Sequence, residues 1–436
     1  MTMLPAAFVE RMGRQLGDEL PDFLQAMEQP SVRGIRMNPE KPFSGMETYM
    51  RDGEIPWTES GFFLSSDSSA GATVFHEAGA FYLQEPAAML PAEVMDVCPG
   101  ERILDLCSAP GGKATQMALK LKGEGLIICN DPIPKRAAVL SRNLERMGIV
   151  NGIVTCCYPE QIPESWNSSF DGVLVDAPCS GEGMFRREPE SRNEWTPEQA
   201  AGCAVRQTEI LQRAAALVRP GGRLVYSTCT YNPEENEITV QRFLKKHPEF
   251  DTEPFNLPGT DGRSGMMLCL PHKFRGEGQY VAKLRKDGTS GFADFTCPFD
   301  RPSRTETEMF HSLFPGLPDA NARFGNILAS CPDTPSLKGL RVLRAGLHLA
   351  EIRGKVMVPD HAAALGNIRL NVPETPLSPG EAACYAAGLE IPGHVKGWTV
   401  MTYRGLRIGW GKGTGETVKN HYPKGLRKEN LLTECL

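Results

Sequence analysis

Residues 102–113 read RILDLCSAPGGK. Arg102–Cys107 has the length and apolar content of a buried strand. It runs through Ser108-Ala109-Pro110 into a glycine pair, Gly111-Gly112, that opens a helix predicted over Gly111–Lys122. Strand, glycine turn and helix make the first half of a βαβ unit, and the alternation continues downstream. Leu126–Asn130, Ile153–Cys157 and Gly172–Val175 read as further strands, with a helix over Pro134–Met147. Thr196–Val218 reads as a long helix with Thr196 as N-cap and Pro197 at its first position. Pro220-Gly221-Gly222 turns into a fifth strand, Arg223–Ser227, followed by a helix predicted over Pro233–Lys246 with a Glu-rich first turn. Met266–Leu270 and Gln279–Leu284 close the region as an antiparallel pair. The expected fold class is α/β, a mainly parallel Rossmann-like sheet with helices on both faces.

Such sheets bind ligands at the carboxyl edge of their strands. The glycine turn after the first strand is a nucleotide-type device, yet neither the P-loop pattern nor G-x-G-x-x-G is present. The second strand ends at Asn130-Asp131, about 20 residues beyond the turn, where an acid ordinarily holds a ribose diol. Glycines and a ribose acid without a pyrophosphate fingerprint point to S-adenosylmethionine. The fourth strand leads into LVDAPCSGEGMFRR, residues 174–187. It ends on Asp176, and Pro178 forbids its continuation, so Asp176 and Cys179 arrive together at the sheet edge. Gly181 and Gly183 are read as letting this loop approach a ligand. The fifth strand exits into STCTYNPEENE, residues 227–237, which carries a second thiol, Cys229, just before the predicted helix start. The positive end of that helix would lower a thiol pKa. A lone buried cysteine is ordinarily inert packing, but two at strand ends of one α/β unit read as a functional pair.

The chain has 436 residues, 41% hydrophobic and 23% charged, with no apolar run near the ~20 residues of a membrane span. The opening MTMLPAAFVERMGRQ is charged early, so no signal peptide is expected. Thirteen cysteines without a C-x-x-C pair fit reduced thiols in a cytoplasmic protein, with no zinc site or other metal. The net charge of −6 argues against an indiscriminate nucleic-acid binder. Lys396–Lys428, however, holds eight Lys/Arg against one acid, Glu416, a local +7 on a chain whose remainder carries −13. Such a segment suits docking on a polyanion, or it is a solvated face. Composition divides the chain into 1–85, a small α+β unit; 86–286, the α/β unit; 287–372, a Pro/Ser/Thr-rich linker and a small domain; and 373–436, a small β-barrel. In the first unit, Arg33 and Arg36 read either as phosphate contacts or as surface charges.

DLCSAPGGK (105–113), VDAPCSGEGMFRRE (175–188) and STCTYNPEENE (227–237) together resemble the Nop/Sun family of RNA (cytosine-5) methyltransferases, and within it the type F branch for bacterial small-subunit ribosomal RNA. HEAGAFYLQEPAAMLPAEVM (76–95), PHKFRGEGQYVAKL (271–284) and KNHYPKGLR (419–427) extend the resemblance over nearly the whole chain. The resemblance implies a class I methyltransferase core, S-adenosylmethionine as donor, and cytosine in small-subunit (16S) rRNA as substrate. It also implies an N-terminal RNA-binding unit and a C-terminal PUA-like barrel, in a protein expected to be monomeric. Carried over, Cys107, Ser108, Ala109, Pro110, Gly111, Gly112 and Lys113 would line the methionine and ribose side of the cofactor. Asp131 would take the ribose hydroxyls. Asp176, with Lys113, would face the methionine end and the target base. Cys229 would be the nucleophile and Cys179 would assist release, while Arg186-Arg187 would hold phosphates. One departure stands out: Thr155-Cys156-Cys157-Tyr158-Pro159 has no acid where the family usually places one near the adenine, and Tyr158 would stack there instead. Alternatives are a transfer-RNA cytosine-5 methyltransferase, a non-catalytic RNA-binding assembly factor and, more distantly, a nucleotide-dependent oxidoreductase.

Overall fold

The computed structural model describes residues 3–289, 291 and 294–434; Met1, Thr2, Ser290, Phe292, Ala293, Cys435 and Leu436, which the ranges above include, lie outside the described residues. Helices Ala6–Leu16 and Leu20–Glu28 place an aromatic or Met residue on one face each turn, burying Phe8, Met12, Phe23 and Met27. That face packs against Phe185, Trp195 and Tyr231 of the α/β unit. A three-stranded antiparallel sheet follows: β1 (Arg33–Met37) lies between β2 (Gly61–Leu64) and β3 (Phe81–Leu83). Neither arginine of β1 is a free surface charge. Arg36 is buried and donates to Gly112 O (3.0 Å) and Thr115 Oγ1 (2.7 Å); Arg33 donates to the carbonyls of Ser65, Ser66 and Ser68. Arg36 is thereby spent on buried acceptors within the protein and does not face phosphate, whereas Arg33 lies partly exposed at the surface.

The central sheet contains β4 (Arg102–Asp105), β5 (Leu126–Asn130), β6 (Gly152–Thr155), β7 (Phe170–Asp176), β8 (Val218–Thr228), β9 (Phe250–Thr252), β10 (Met266–Cys269) and β11 (Gln279–Lys286). Its order is β10-β11-β8-β7-β4-β5-β6, with β9 also on β11; β6 through β8 run parallel and β11 antiparallel. Chain order reverses at β4, between β5 and β7, which is the switch point where open α/β sheets bind ligands. Apolar clusters cover both faces, as the near-continuous apolar strands require.

Two elements differ from their sequence reading. Pro220-Gly221-Gly222 does not precede the fifth strand but bulges within β8: pairing with β7 jumps from Phe170↔Val218 to Gly172↔Arg223. The following helix starts at Glu237, not Pro233. Asn236 donates to Thr230 O (2.9 Å) and accepts from Thr228 Oγ1 (2.6 Å), while Tyr226 Oη donates to Glu235 O (2.6 Å). These side-chain bonds hold Pro233–Asn236 in a turn against the helical tendency of its glutamates.

The stretch expected as a linker is structured. Ser303 and Glu306 form a capping box for helix Arg304–Leu313, and β12 (Ala322–Phe324) and β13 (Ile327–Ser330) begin a third sheet. β14 (Val342–Ala345) then leaves that unit and pairs antiparallel with β6, extending the central sheet and covering its otherwise open edge. β15 (Leu347–Arg353) and β16 (Val356–Pro359) complete the third sheet in the order β12-β13-β15-β16. The last sheet, from β17 (Glu374–Pro376), β18 (Ile391–Pro392), β19 (Lys396–Tyr403), β20 (Leu406–Thr414) and β21 (Thr417–Asn420), has the order β17-β19-β20-β21-β18. Its Tyr403, Ile408 and Tyr422 share one core with Ile35, Phe43 and Phe75 of the N-terminal unit. Among the described residues no helix is long and apolar enough to cross a membrane.

Candidate active site

The carboxyl ends of β4, β7 and β8 deliver Asp105, Asp176 and Cys229 to one edge. Lys113, on the first turn of helix Gly112–Lys120, reaches across to Asp176 Oδ2 (2.8 Å), and Ser227 Oγ donates to Asp176 Oδ1 (2.6 Å). Burial opposes the Lys113 charge, but the adjacent Asp176 carboxylate outweighs it and holds the ammonium above its ordinary range. The Cys179 and Cys229 sulfurs are 3.1 Å apart, and the Cys229 N–H donates to Cys179 Sγ (3.3 Å). The hydrogen bond to Cys229, reinforced by burial, pushes the Cys179 thiol well up.

Asp105 was passed over in the sequence, although it ends the first strand at the same edge. Its carboxylate oxygens are buried without hydrogen-bond partners. Burial, then the Asp176 charge, raise its pKa to about 7.

Two clefts open around these residues. The larger, of about 660 Å³, is lined by Asp131, Ile133, Tyr158, Cys179 and Ile210 among others. The smaller, of about 250 Å³, is lined by Tyr82, Gln84, Asp105, Lys113, Arg187 and Gln279 among others. Cys107, Ala109, Asp176, Ala177 and Cys229 form a wall common to both. The glycine-turn residues therefore divide. Cys107 and Ala109 face both clefts; Ser108, Pro110, Gly112 and Lys113 face the smaller one. Gly111 lines neither; it caps the helix at φ 109°, and a Cβ there would press on Leu140 at 3.0 Å, so its role is helix packing.

Asp131 lies in the larger cleft. Its Oδ1 accepts from Ile133 N (3.0 Å), while Oδ2 lies 3.3 Å from Arg136 Nη2 without hydrogen-bond geometry. Burial raises its pKa. Oδ2, ion-paired with Arg136 but accepting no hydrogen bond, suits a ligand that brings hydroxyl donors, as a ribose does. Tyr158 stands 57% exposed at the rim of the same cleft, open to a planar ring.

Three expectations are corrected. Cys229 does not sit before a helix N-terminus, because the helix begins eight residues on. Gly183 approaches protein rather than ligand: a Cβ would fall 2.6 Å from Gly278 O and 2.9 Å from Cys229 O. Arg186 is buried in an ion pair with Glu277 (2.6 Å) and donates to Gly276 O (2.6 Å) and Ala26 O (3.1 Å), leaving Arg187 alone at the smaller cleft. In the C-terminal basic segment, Arg404 pairs with Glu434 (2.7 Å), Lys428 with Glu77 (2.7 Å), and Arg407 donates to Gly366 O (2.6 Å). Lys396, Lys412, Lys419, Lys424 and Arg427 remain exposed.

Comparison with known proteins places four family descriptions along the chain in order. Residues 4–86 match the N-terminal domain of 16S rRNA methyltransferase RsmF, 92–285 match 16S rRNA methyltransferase RsmB/F, 310–366 match the RsmF rRNA methyltransferase first C-terminal domain, and 372–428 match the methyltransferase RsmF PUA domain. The ribosomal RNA small subunit methyltransferase F of Aliivibrio salmonicida is 30% identical over 98% of each chain. That of Shigella boydii is 31% identical over 98% of this chain and 97% of its own. A crystal structure of a methyltransferase homolog protein from Pyrococcus horikoshii, 28% identical, covers 64% of this chain and 94% of that one with a TM-score of 0.57.

Proposed function

The chain belongs to the 16S rRNA methyltransferase RsmB/F family, and from that premise we propose that it methylates C5 of a cytosine in small-subunit ribosomal RNA, with Cys229 as nucleophile and Cys179 assisting release. The cofactor is S-adenosylmethionine, which when bound supplies an electrophilic methyl group. The observation that carries this reading is the pair of thiols 3.1 Å apart beside the Lys113–Asp176 pair, on the wall between two clefts.

The larger cleft takes the cofactor. Asp131 accepts the ribose hydroxyls, Tyr158 stacks on the adenine, and the wall residues face the methionine end. The smaller cleft takes the target base, extruded from its strand as base-modifying chemistry requires. Lys113 and Asp176 hold the N3/N4 edge of the cytosine. Cytosine C5 is a poor nucleophile until the Cys229 thiolate adds at C6 and makes the ring an enamine. Carbon 5, made nucleophilic in this way, would take the methyl group as the donor's S–CH3 bond breaks and its sulfonium leaves as a neutral thioether. The C5 proton must then pass to a base or to solvent, so that the C5=C6 bond reforms as the C6–S bond breaks and the electron pair returns to Cys229 as thiolate. Cys179, in contact with that sulfur, assists this elimination. Bisulfite sequencing of small-subunit RNA from cells with and without the gene tests the reading: one or more cytosines lose protection when the gene is absent. Lost protection only in transfer RNA would favour that alternative.

Two predictions arise here. Asp131→Ala is expected to weaken S-adenosylmethionine binding at least tenfold by calorimetry with the fold intact, because a carboxylate taking hydroxyl donors makes charge-assisted bonds of roughly 1.5–3 kcal/mol each. Unchanged affinity would remove Asp131 from the cofactor site. For the basic segment, removing residues 397–436 would strip Tyr403 and Tyr422 from a shared core, so point changes are the better probe. Replacing Lys396, Lys412, Lys419 and Lys424 with Ala is expected to weaken RNA binding and flatten log K against log salt by about 0.7 per lost phosphate contact. An unchanged slope would mark the segment as a solvated face.

A further inference from the structure

Two buried carboxylates cross between the loops that carry the thiols. The first loop, 178–184, follows β7; the second, 229–236, follows β8. Glu235 of the second loop is fully buried and accepts both the backbone N–H (2.9 Å) and the hydroxyl (2.5 Å) of Ser180, the neighbour of Cys179. Glu182 of the first loop is fully buried and accepts the backbone N–H of Tyr231 (3.1 Å), two residues beyond Cys229. Each loop thus supplies the acceptor for the other's backbone. Each carboxylate is also braced from outside the pair. Gln207 of helix Pro197–Leu217 donates to Glu235 (3.0 Å) and to Pro178 O (3.0 Å). Arg11 of the first helix pairs with Glu182 (2.6 Å), and Trp195 Nε1 donates to it (3.1 Å). Gly183 N–H closes the crossing on Cys229 O (2.8 Å).

Buried carboxylates are costly unless fully hydrogen-bonded, and apolar side chains could fill the same volume without that cost. What the carboxylates add is fixed direction: each holds a backbone N–H one or two residues beyond a reacting sulfur. Neither residue lines either cleft, so neither touches substrate or cofactor.

We propose that Glu235 and Glu182 are positioning residues that set the two thiols separately, Glu235 holding Cys179 through Ser180 and Glu182 holding Cys229 through Tyr231. Arg11 ties the second setting to the N-terminal helix, giving that helix a part in the chemistry distinct from RNA binding. The inference rests on the two-thiol reading above. It assigns the effects asymmetrically. Glu235→Gln loosens the loop of the release thiol, so attack and methyl transfer proceed while elimination slows. Glu182→Gln loosens the loop of the attacking thiol, so the first step slows.

The test uses the full chain with small-subunit RNA and S-adenosylmethionine, following single-turnover methyl transfer alongside the covalent complex on a denaturing gel. Glu235→Gln is expected to accumulate covalent RNA complex and lose about tenfold in steady-state turnover, with single-turnover transfer within about twofold of wild type. Glu182→Gln is expected to lose about tenfold in single-turnover transfer without accumulating complex. Because Glu182→Gln leaves Arg11 without its counter-charge, a paired Arg11→Met, Glu182→Leu variant fills the same space apolarly and should show the same slow first step. A readout independent of catalysis is alkylation of Cys179 by iodoacetamide, with exposed Cys98 as internal standard. Glu235→Gln is expected to raise the Cys179 rate at least about threefold relative to Cys98, since local opening controls access. Equal losses in both steps for both variants, tracking their melting temperatures, or an unchanged Cys179 alkylation rate, would overturn the proposal. Cys179→Ala and Cys229→Ala controls that form no covalent complex, beside a raised Cys179 alkylation rate in Glu235→Gln, would sink the two-thiol reading and leave the positioning role standing.

Discussion

Cys229→Ala abolishes methyl transfer and the covalent RNA complex, while Cys179→Ala still attacks and methylates but stays attached to its RNA. This is the expected result of incubating each variant with small-subunit RNA and cofactor and resolving the products on a denaturing gel. Loss of a nucleophile that acts in concert with its neighbours costs at least ~10⁴-fold in rate. From the sequence, Cys229 was favoured in part by a helix start just after it, and that argument is gone, since the helix begins at Glu237. Geometry supplies better ones. Cys229 lines both clefts, whereas Cys179 lines only the larger, so a base in the smaller cleft meets the Cys229 sulfur. The Cys179 thiol is also pushed well up by its bond to Cys229 and by burial, which works against its serving as the attacking thiolate. A persistent complex in Cys229→Ala, with none in Cys179→Ala, would exchange the two roles.

Much of this was legible in residues 102–286, because a parallel sheet buried on both faces writes itself as apolar runs punctuated by Gly and Pro. The strand ends were legible for the same reason, and with them Asp176, Cys179, Asp131 and Cys229. What escaped depended on distant partners. Arg36 and Arg186 look alike in the sequence to Arg187, yet the first two are buried on acceptors from other segments: Gly112 and Thr115 for Arg36, Glu277 and Gly276 for Arg186. The Glu-rich stretch 234–237 favours a helix locally, but Asn236 and Glu235 are committed to side-chain bonds that need a turn. The region 287–335 carried a readable S-x-x-E helix start at Ser303–Glu306, masked by its proline and polar content. No local pattern could reveal that Val342–Ala345 would join the edge of the central sheet, since strand pairing across such separation is a tertiary property.

Asp176→Asn is expected to lower kcat by about 10²–10³-fold, the scale of removing one preorganised electrostatic group from an active site, beside a smaller loss of cofactor affinity. The substitution keeps the shape and still accepts a hydrogen bond from Ser227. It removes the strongest of the charges that hold the Lys113 ammonium above its ordinary range, so burial then weighs more heavily on that ammonium and lowers its pKa. The pair proposed to hold the cytosine edge thereby loses its anion, and its cation is less firmly held. A second readout comes from Asp105, whose pKa of about 7 is raised by burial and then by Asp176. A carboxyl with a raised folded-state pKa binds its proton more tightly folded than unfolded. Between its unfolded value near pH 4 and about pH 7 the folded state therefore holds more protons, and raising the pH works against folding. With Asp176 neutral, Asp105 ionises at lower pH and part of that loss disappears. The melting temperature of Asp176→Asn should accordingly fall less than that of wild type between pH 5 and pH 8. Parallel profiles would uncouple the two acids, and an unchanged kcat would remove Asp176 from the chemistry while leaving it as the structural partner of Lys113.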